Sequence, residues 1–276
     1  MLSSITLSFE HDLSANMVLP ILPIGLKENL SEQDHNPFFQ SENFIYHHLG
    51  NYIDPLPSGT LLSLNSSKLE PSIQVLSNVT LPSQPPHASE CLWVKILKSI
   101  PKSAAQEFFP YKDGFSLAWV TLSDSGSKNL RQDESGPAIG RLIRNKLKIC
   151  FEQGFILPDN AQALKAKLIH LALRDQYDLI ITTGGTGLTS RDITPQATAQ
   201  VLDYQLPGFV QAMMAESLKK TSRAILSRAV AGVLEKSLIL NLPGSQKAVS
   251  ENLSAILEAL PHALDKLHDD PSPCGG

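Results

Sequence analysis

The segment FSLAWVTL at Phe115–Leu122 is apolar at nearly every position. A strand exposed to water on one face alternates apolar and polar side chains. A run with almost no polar member must be covered on both faces, which requires a mostly parallel sheet with helices packed on either side. The sequence after it supplies the rest of that pattern. Residues 155–157 and 179–182 read as further strands, as do 229–233 and 238–242. Between them lie stretches with apolar residues at helical spacing. Ile139, Leu142, Ile143 and Leu147 follow Ser135, a candidate cap, and Pro137. Leu164, Leu168, Leu171 and Ala172 follow Asp159, a second candidate cap. Thr194-Pro195 is a helix start, with proline in the first turn. Pro243-Gly244-Ser245 turns the chain into a last helix carrying Val249, Leu253, Ile256, Leu257 and Leu260. Ligands on such α/β sheets collect at the carboxyl ends of the strands.

Before Gly114 the character differs. Most of the prolines and five of the eight histidines lie there, with short apolar runs at 17–22, 60–64, 73–76 and 92–97. Bounded by Pro, Ser, Asn and Gly, these read as short strands of a small β-rich or partly ordered region. Three parts are expected: residues 1–113 of unassigned role, an α/β domain over 114–268, and a flexible tail at 269–276, where Cys274-Gly275-Gly276 reads as a frayed end.

Bulk properties exclude several classes. Lysines and arginines total 23 against 27 acids, a net charge of −4, which argues against a general nucleic-acid surface. No apolar stretch is long enough to span a membrane, and the opening MLSSITLSFEHDLS lacks the basic start of a secretory signal, so a cytoplasmic protein is expected. Cys91, Cys150 and Cys274 form no CxxC pair, disfavouring a disulfide framework or structural zinc.

Three loops carry polar residues suited to phosphate chemistry. Thr182-Thr183-Gly184-Gly185-Thr186-Gly187 follows a strand. Glycines let backbone N–H groups approach a phosphate, and the threonines add hydroxyl donors. The pattern is neither GxxxxGK[ST] nor GxGxxG, so ATPase and dinucleotide fingerprints do not fit; the bland alternative is a tight turn. Asp192, in Ser190-Arg191-Asp192-Ile193-Thr194-Pro195, can hold Mg²⁺ against phosphate oxygens or serve the helix terminus. Asp159 has the same double reading. Ser123-Asp124-Ser125, running on to Asp133-Glu134-Ser135-Gly136, is either an anion site at a helix start or an ordinary capped loop.

Taken together, SDSGSKNLRQDESG at 123–136, LPDN at 157–160 and YDLIITTGGTGLTSRDITPQAT at 177–198 resemble the MogA/MoaB family. So do LPGF at 206–209, AILSRAVAG at 224–232 and LILNLPGS at 238–245, and the likeness to the G domain of gephyrin extends over about 115–267. The resemblance implies a three-layer αβα domain, commonly trimeric, that binds molybdopterin and ATP. It implies AMP transfer from Mg-ATP to the molybdopterin phosphate with release of pyrophosphate, and hand-over to a MoeA-like molybdate-insertion protein. By the same resemblance Asp159 and Asp192 match the two essential acids and would position Mg²⁺. Thr183, Gly184, Gly185, Thr186 and Gly187 match the phosphate loop; Ser123, Asp124 and Asp133 match the first polar loop; Pro243, Gly244 and Ser245 match the loop after the last long strand. Read from the residues alone, Arg191 either adds positive charge to the site or is an ordinary exposed surface arginine. MoeA-type and CinA-type proteins share the fold: the first carry further domains in a longer chain, and the second lack the gephyrin-like first loop. A non-catalytic MoaB-like molybdopterin-binding or trimeric scaffold protein is the alternative of a different class.

Overall fold

A computed structural model describes residues 4–9, 11–23, 45–47, 55–64, 70–81, 89–124 and 133–268. The chain divides into two compact units, residues 1–113 and 114–276. The tail at 269–276, residues 125–132 of the first polar loop and the cluster at 83–87 lie outside the described residues.

In the first unit, strands β1 (Ile5–Phe9), β2 (Val18–Pro23), β3 (Ile45–His47), β4 (Leu61–Ser63), β5 (Pro71–Leu81), β6 (Ser89–Ile96) and β7 (Ser103–Tyr111) close into a barrel in the order β1-β3-β2-β6-β5-β4-β7. Every pairing is antiparallel except β2 with β3. Alternation drives closure: Ile5, Leu7 and Phe9 of β1 point inward, as do Ile73 and Val75 of β5 and Leu92, Val94 and Ile96 of β6. Phe9 meets Phe108 edge-to-face at 6.0 Å. The apolar runs noted in the sequence fall on β2, β4, β5 and β6. β1, β3 and β7 were not marked by them; Pro110 and the polar Ser103 and Gln106 dilute the signal of β7.

The second unit is α/β. Its strands are β8 (Phe115–Leu122), β9 (Ile149–Leu157), β10 (Leu179–Thr183), β11 (Tyr204–Gln205), β12 (Ala231–Leu234) and β13 (Ser237–Leu242), in sheet order β11-β12-β13-β10-β8-β9. β13, β10, β8 and β9 run parallel, whereas β11 and β12 add an antiparallel edge. The sheet is therefore mixed. Its helices are α1 (Ser135–Arg144), α2 (Ala161–Ile169), α3 (Thr194–Ala199), α4 (Pro207–Leu218), α5 (Gln246–Ile256) and α6 (Leu260–Leu267). Side chains alternate along each central strand. Leu117, Leu179, Ile181, Leu238 and Leu240 pack with α1, α4, α5 and α6; Ala118, Val120, Ile180 and Ile239 pack with α2, α3 and the π-helical turn His170–Arg174. This two-sided burial explains why FSLAWVTL has no polar stripe.

Several local expectations need correction. The second strand begins at Ile149, well before residue 155; as an edge strand β9 is partly exposed and tolerates Glu152, Gln153 and Gly154. Ser135 is the first residue of α1 and not its cap. Asp133 does the capping work instead, accepting the Gly136 amide at 2.9 Å. Asn160, not Asp159, caps α2 by accepting the Ala163 amide. The last helix is two helices, because Pro261 in the first turn of α6 cannot continue α5. Ser245 caps α5 through the Ala248 amide.

Three glycines surround one tryptophan. A Cβ at Gly136 or Gly154 would lie 2.4 Å from Trp119 Nε1, and one at Gly140 would lie 3.2 Å from its ring. Bare backbone on α1 and β9 thus makes the slot for the indole behind the first polar loop.

Candidate active site

All four parallel strands end at the same edge of the sheet, so the segments after β8, β9, β10 and β13 come together. They enclose a cavity of about 860 Å³. Of the residues singled out from the sequence, Ser123, Asp124, Asp133, Asp159, Thr183, Gly184, Gly185, Asp192, Gly244 and Ser245 line it, and Arg191 does too. Thr186, Gly187 and Pro243 do not; they line a neighbouring cavity of about 280 Å³ on the other side of the glycine turn.

The turn is tightly built. Gly184 and Gly185 have φ of +98° and +65°, a region that favours glycine. A Cβ on Gly184 would lie 2.7 Å from the Leu122 carbonyl oxygen, and one on Gly185 would lie 2.5 Å from Thr194 Oγ1. Close approach of the Leu122 backbone to Gly184 and of the Thr194 side chain to Gly185, with the positive φ of both, therefore requires glycine at each. It also commits donors. The Gly184 amide donates to the Leu242 carbonyl at 3.2 Å and the Gly187 amide to the Asp192 carboxylate. The Gly184 and Gly187 amides are thus taken up within the fold, so the expected concavity of successive amides is interrupted at both. The threonine hydroxyls serve the fold as well. Thr183 Oγ1 donates to the Pro243 carbonyl at 2.7 Å, and buried Thr182 Oγ1 accepts from Asn241 Nδ2 at 2.9 Å.

The aspartates divide into two kinds. Asp192 closes its own loop: its Oδ2 accepts the Thr189 amide at 2.8 Å and the Thr189 hydroxyl at 2.7 Å. The Thr189 hydroxyl is the main reason its carboxyl is held below the usual range, with the Thr189 and Gly187 amides and the Arg228 charge helping. Asp133 is similarly engaged, accepting Thr121 Oγ1 at 2.7 Å as well as the Gly136 amide. Asp124 and Asp159 instead converge. The Asp159 amide donates to Asp124 Oδ1 at 3.0 Å, and Arg191 Nη2 lies between the two carboxylates, 3.4 Å from Asp159 Oδ2 and in contact with Asp124. Burial pushes the Asp159 carboxyl up, repulsion from Asp124 adds to this, and Arg191 opposes it.

Two contributors were not singled out from the sequence. Arg228 lies in the segment AILSRAVAG but has no feature distinguishing it from a surface arginine; its guanidinium bonds the carbonyls of Gly187 and Asp192. Asn241, fully buried beneath the turn, donates to Thr182 and Thr198 hydroxyls and accepts the Val230 amide. A buried asparagine in an apolar strand was the available clue.

Among the described residues, no three His, Cys, Asp or Glu side chains are grouped as a metal site, and no helix is long and apolar enough to cross a membrane. The arrangement provides an open polar cavity lined by the starts of two helices, an arginine, and a converging carboxylate pair. It suits binding of phosphate groups together with a cation.

Comparison with known proteins agrees with this chemistry. Residues 118–262 match the family model described as a probable molybdopterin binding domain. A molybdopterin adenylyltransferase of Helicobacter pylori is 42% identical over 150 residues, covering 53% of this chain and 84% of that protein. Gephyrin of Dictyostelium discoideum is 38% identical over 161 residues, covering 55% of this chain but only 22% of gephyrin. Among solved structures, the molybdopterin biosynthesis enzyme MoaB of Thermus thermophilus superposes with a TM-score of 0.52 at 41% identity, covering 58% of this chain and 99% of that one. These similarities concern the second unit.

Proposed function

Because the chain belongs to the probable molybdopterin binding domain family, we propose that its second unit is a molybdopterin adenylyltransferase acting in molybdenum cofactor synthesis. The observation carrying this reading is the convergence of Asp124, Asp159, Arg191 and the Gly184-Gly185 turn on one cavity. In the reaction, a terminal phosphate oxygen of molybdopterin attacks the α-phosphorus of ATP. A new P–O bond forms, the α–β bridging P–O bond breaks, and pyrophosphate leaves with the bonding electrons. Such a transfer needs anions brought together with their charge offset more than it needs covalent help from the protein.

Asp159 and Asp192 are the acids carried over from the family as holding Mg²⁺, and the geometry favours different work for each. Mg²⁺ commonly takes one or two protein carboxylates and fills its remaining positions with phosphate oxygens and water. The Asp124–Asp159 pair fits that donor set, since its two carboxylates converge at the cavity, with Arg191 already offsetting part of their repulsion. Bound there, Mg²⁺ would offset the charge of the triphosphate. Asp192 would act through the loop it closes, holding Arg191 toward the cavity. The Gly185 amide, Ser123 and Ser245 would contact phosphate, and Gly244 lets its loop pack against the glycine turn, since a Cβ there would fall 3.3 Å from Gly184 Cα. Thr186, Gly187 and Pro243 would support the turn from behind.

This reading brings with it a three-layer αβα arrangement, trimeric assembly, a cytoplasmic location and delivery of the adenylated product to a MoeA-like protein. Each is supported by the family likeness. For residues 1–113 we propose a separate unit not needed for AMP transfer. The deciding experiment incubates the protein with molybdopterin, Mg-ATP and label in the α-phosphate. Labelled adenylated pterin with equimolar pyrophosphate is expected; tight pterin binding with no transfer would replace the enzyme by a binding or scaffold protein.

A further inference from the structure

Arg228 grips one loop in three places. Its backbone amide donates to the Thr186 carbonyl at 3.0 Å, its Nε to the Gly187 carbonyl at 2.7 Å, and its Nη2 to the Asp192 carbonyl at 2.6 Å. The two side-chain bonds hold opposite ends of the segment between Gly187 and Asp192. Inside that segment the Asp192 carboxylate takes the Thr189 amide and hydroxyl, and the Asp192 amide donates to the Thr189 carbonyl at 3.0 Å. The loop is thus cross-braced from within by a carboxylate and from behind by a guanidinium.

We propose that Arg228 is a positioning residue for AMP transfer, fixing the loop that presents Thr189, Ser190 and Arg191 to the cavity. It does not line the cavity itself, so its effect must pass through the loop. Three observations favour this assignment over a surface role. The side chain is half-buried, both acceptors are backbone carbonyls at good distance, and the segment they close carries Arg191, which meets Asp124 and Asp159. A planar fork bonds two carbonyls at once, which a lysine ammonium on its flexible stem does not reproduce. A shift of about 1 Å in groups that orient reactants can lower a rate by on the order of 100-fold. The inference rests on the proposed transferase reading for its catalytic consequence, but not for the clamp itself.

The test uses the full chain with Arg228→Met, Arg228→Lys and Arg228→Ala. In ligand-free protein, hydrogen exchange at the Gly187, Thr189 and Asp192 amides should be about tenfold or more faster in Arg228→Met, with amides of β8 and β10 unchanged, because only the local opening is eased. In the transfer assay, kcat of Arg228→Met should fall about 10- to 100-fold, with little change in KM for molybdopterin. Arg228→Lys should fall between the two, and methylguanidinium should restore part of the rate of Arg228→Ala. Unchanged loop exchange would overturn the proposal. So would a kcat within twofold of wild type, or a rate loss that follows the unfolded fraction and is not relieved by methylguanidinium. If the wild-type protein transfers no AMP, the enzymatic reading fails, and loop exchange alone then decides whether Arg228 is the clamp.

Discussion

The backbone amide of Asp159 donates to the carboxylate of Asp124 at 3.0 Å, tying the segment after β9 to the segment after β8. Two acids from different strands are thereby held close, and Arg191 lies against both. Burial disfavours ionisation of Asp159, whose side chain is 16% exposed, and repulsion from Asp124 adds to this while Arg191 opposes it.

The folded carboxyl of Asp159 titrates above its unfolded value, so between those two values the native state binds more protons. Its ionised form subtracts stability above that window, and acidification through the folded value relieves the loss. Asp159→Asn should therefore be at least as stable as wild type at pH 7, with the difference vanishing below about pH 4. AMP transfer should fall by at least about 100-fold, because an asparagine there would hold Mg²⁺ poorly and the phosphates would lose the charge it offsets. Urea melts across pH, paired with the labelled assay, would check both halves; a destabilised but active variant contradicts them.

Asp192 has the opposite sign. Its folded carboxyl titrates below the unfolded value, so the stability it contributes is present above about pH 4 and disappears as pH falls through the folded value. Asp192→Asn keeps the shape but weakens the bonds from Thr189 and Gly187. A loss of about 1 kcal/mol at neutral pH, shrinking toward zero in acid, is expected for a partly exposed group of this kind. Melts that show an equal loss at pH 2 and pH 7 would contradict the assignment.

Asn241→Leu should be costlier than either aspartate change. It leaves the buried hydroxyls of Thr182 and Thr198 and the Val230 amide without the partner they have now. A loss of about 2–4 kcal/mol is expected from unmade buried hydrogen bonds. Chemical denaturation measures it directly, and a near-neutral result would mean that the network relaxes onto other partners.

Gly154→Val tests the tryptophan slot. With its new Cβ overlapping the Trp119 indole, the ring must move away from β9 or the strand must shift. Overpacking of this kind costs about 1–3 kcal/mol, and fluorescence should report the displaced ring, since Trp93 is the other tryptophan in the chain. An unchanged spectrum in a stable variant would show that the indole has room for an added side chain at Gly154.

How much of this was legible in the sequence depended on range. Apolar runs marked β8 and β10, and Thr194-Pro195 marked the start of α3, because these signals are local. β9 was half missed: an edge strand is wetted on one side, and its polar residues hide the pattern. The family-like segments picked out most of the cavity lining. They did not disclose which aspartates are engaged, since the partners of Asp133 and Asp192 depend on loop geometry. Nor did they disclose Arg228, whose two acceptors are carbonyls of residues 36 and 41 positions away and leave no trace in side-chain spacing.

The barrel formed by β1 to β7 has its own implication. Its first and last strands pair with each other, so the seven-strand ring ends where it began. An open sheet offers a neighbouring chain unfilled amides and carbonyls and invites wrong pairing. A ring lacks that liability, and a gene can append such a module to an unrelated enzyme without giving newly made chains an extra way to stick together.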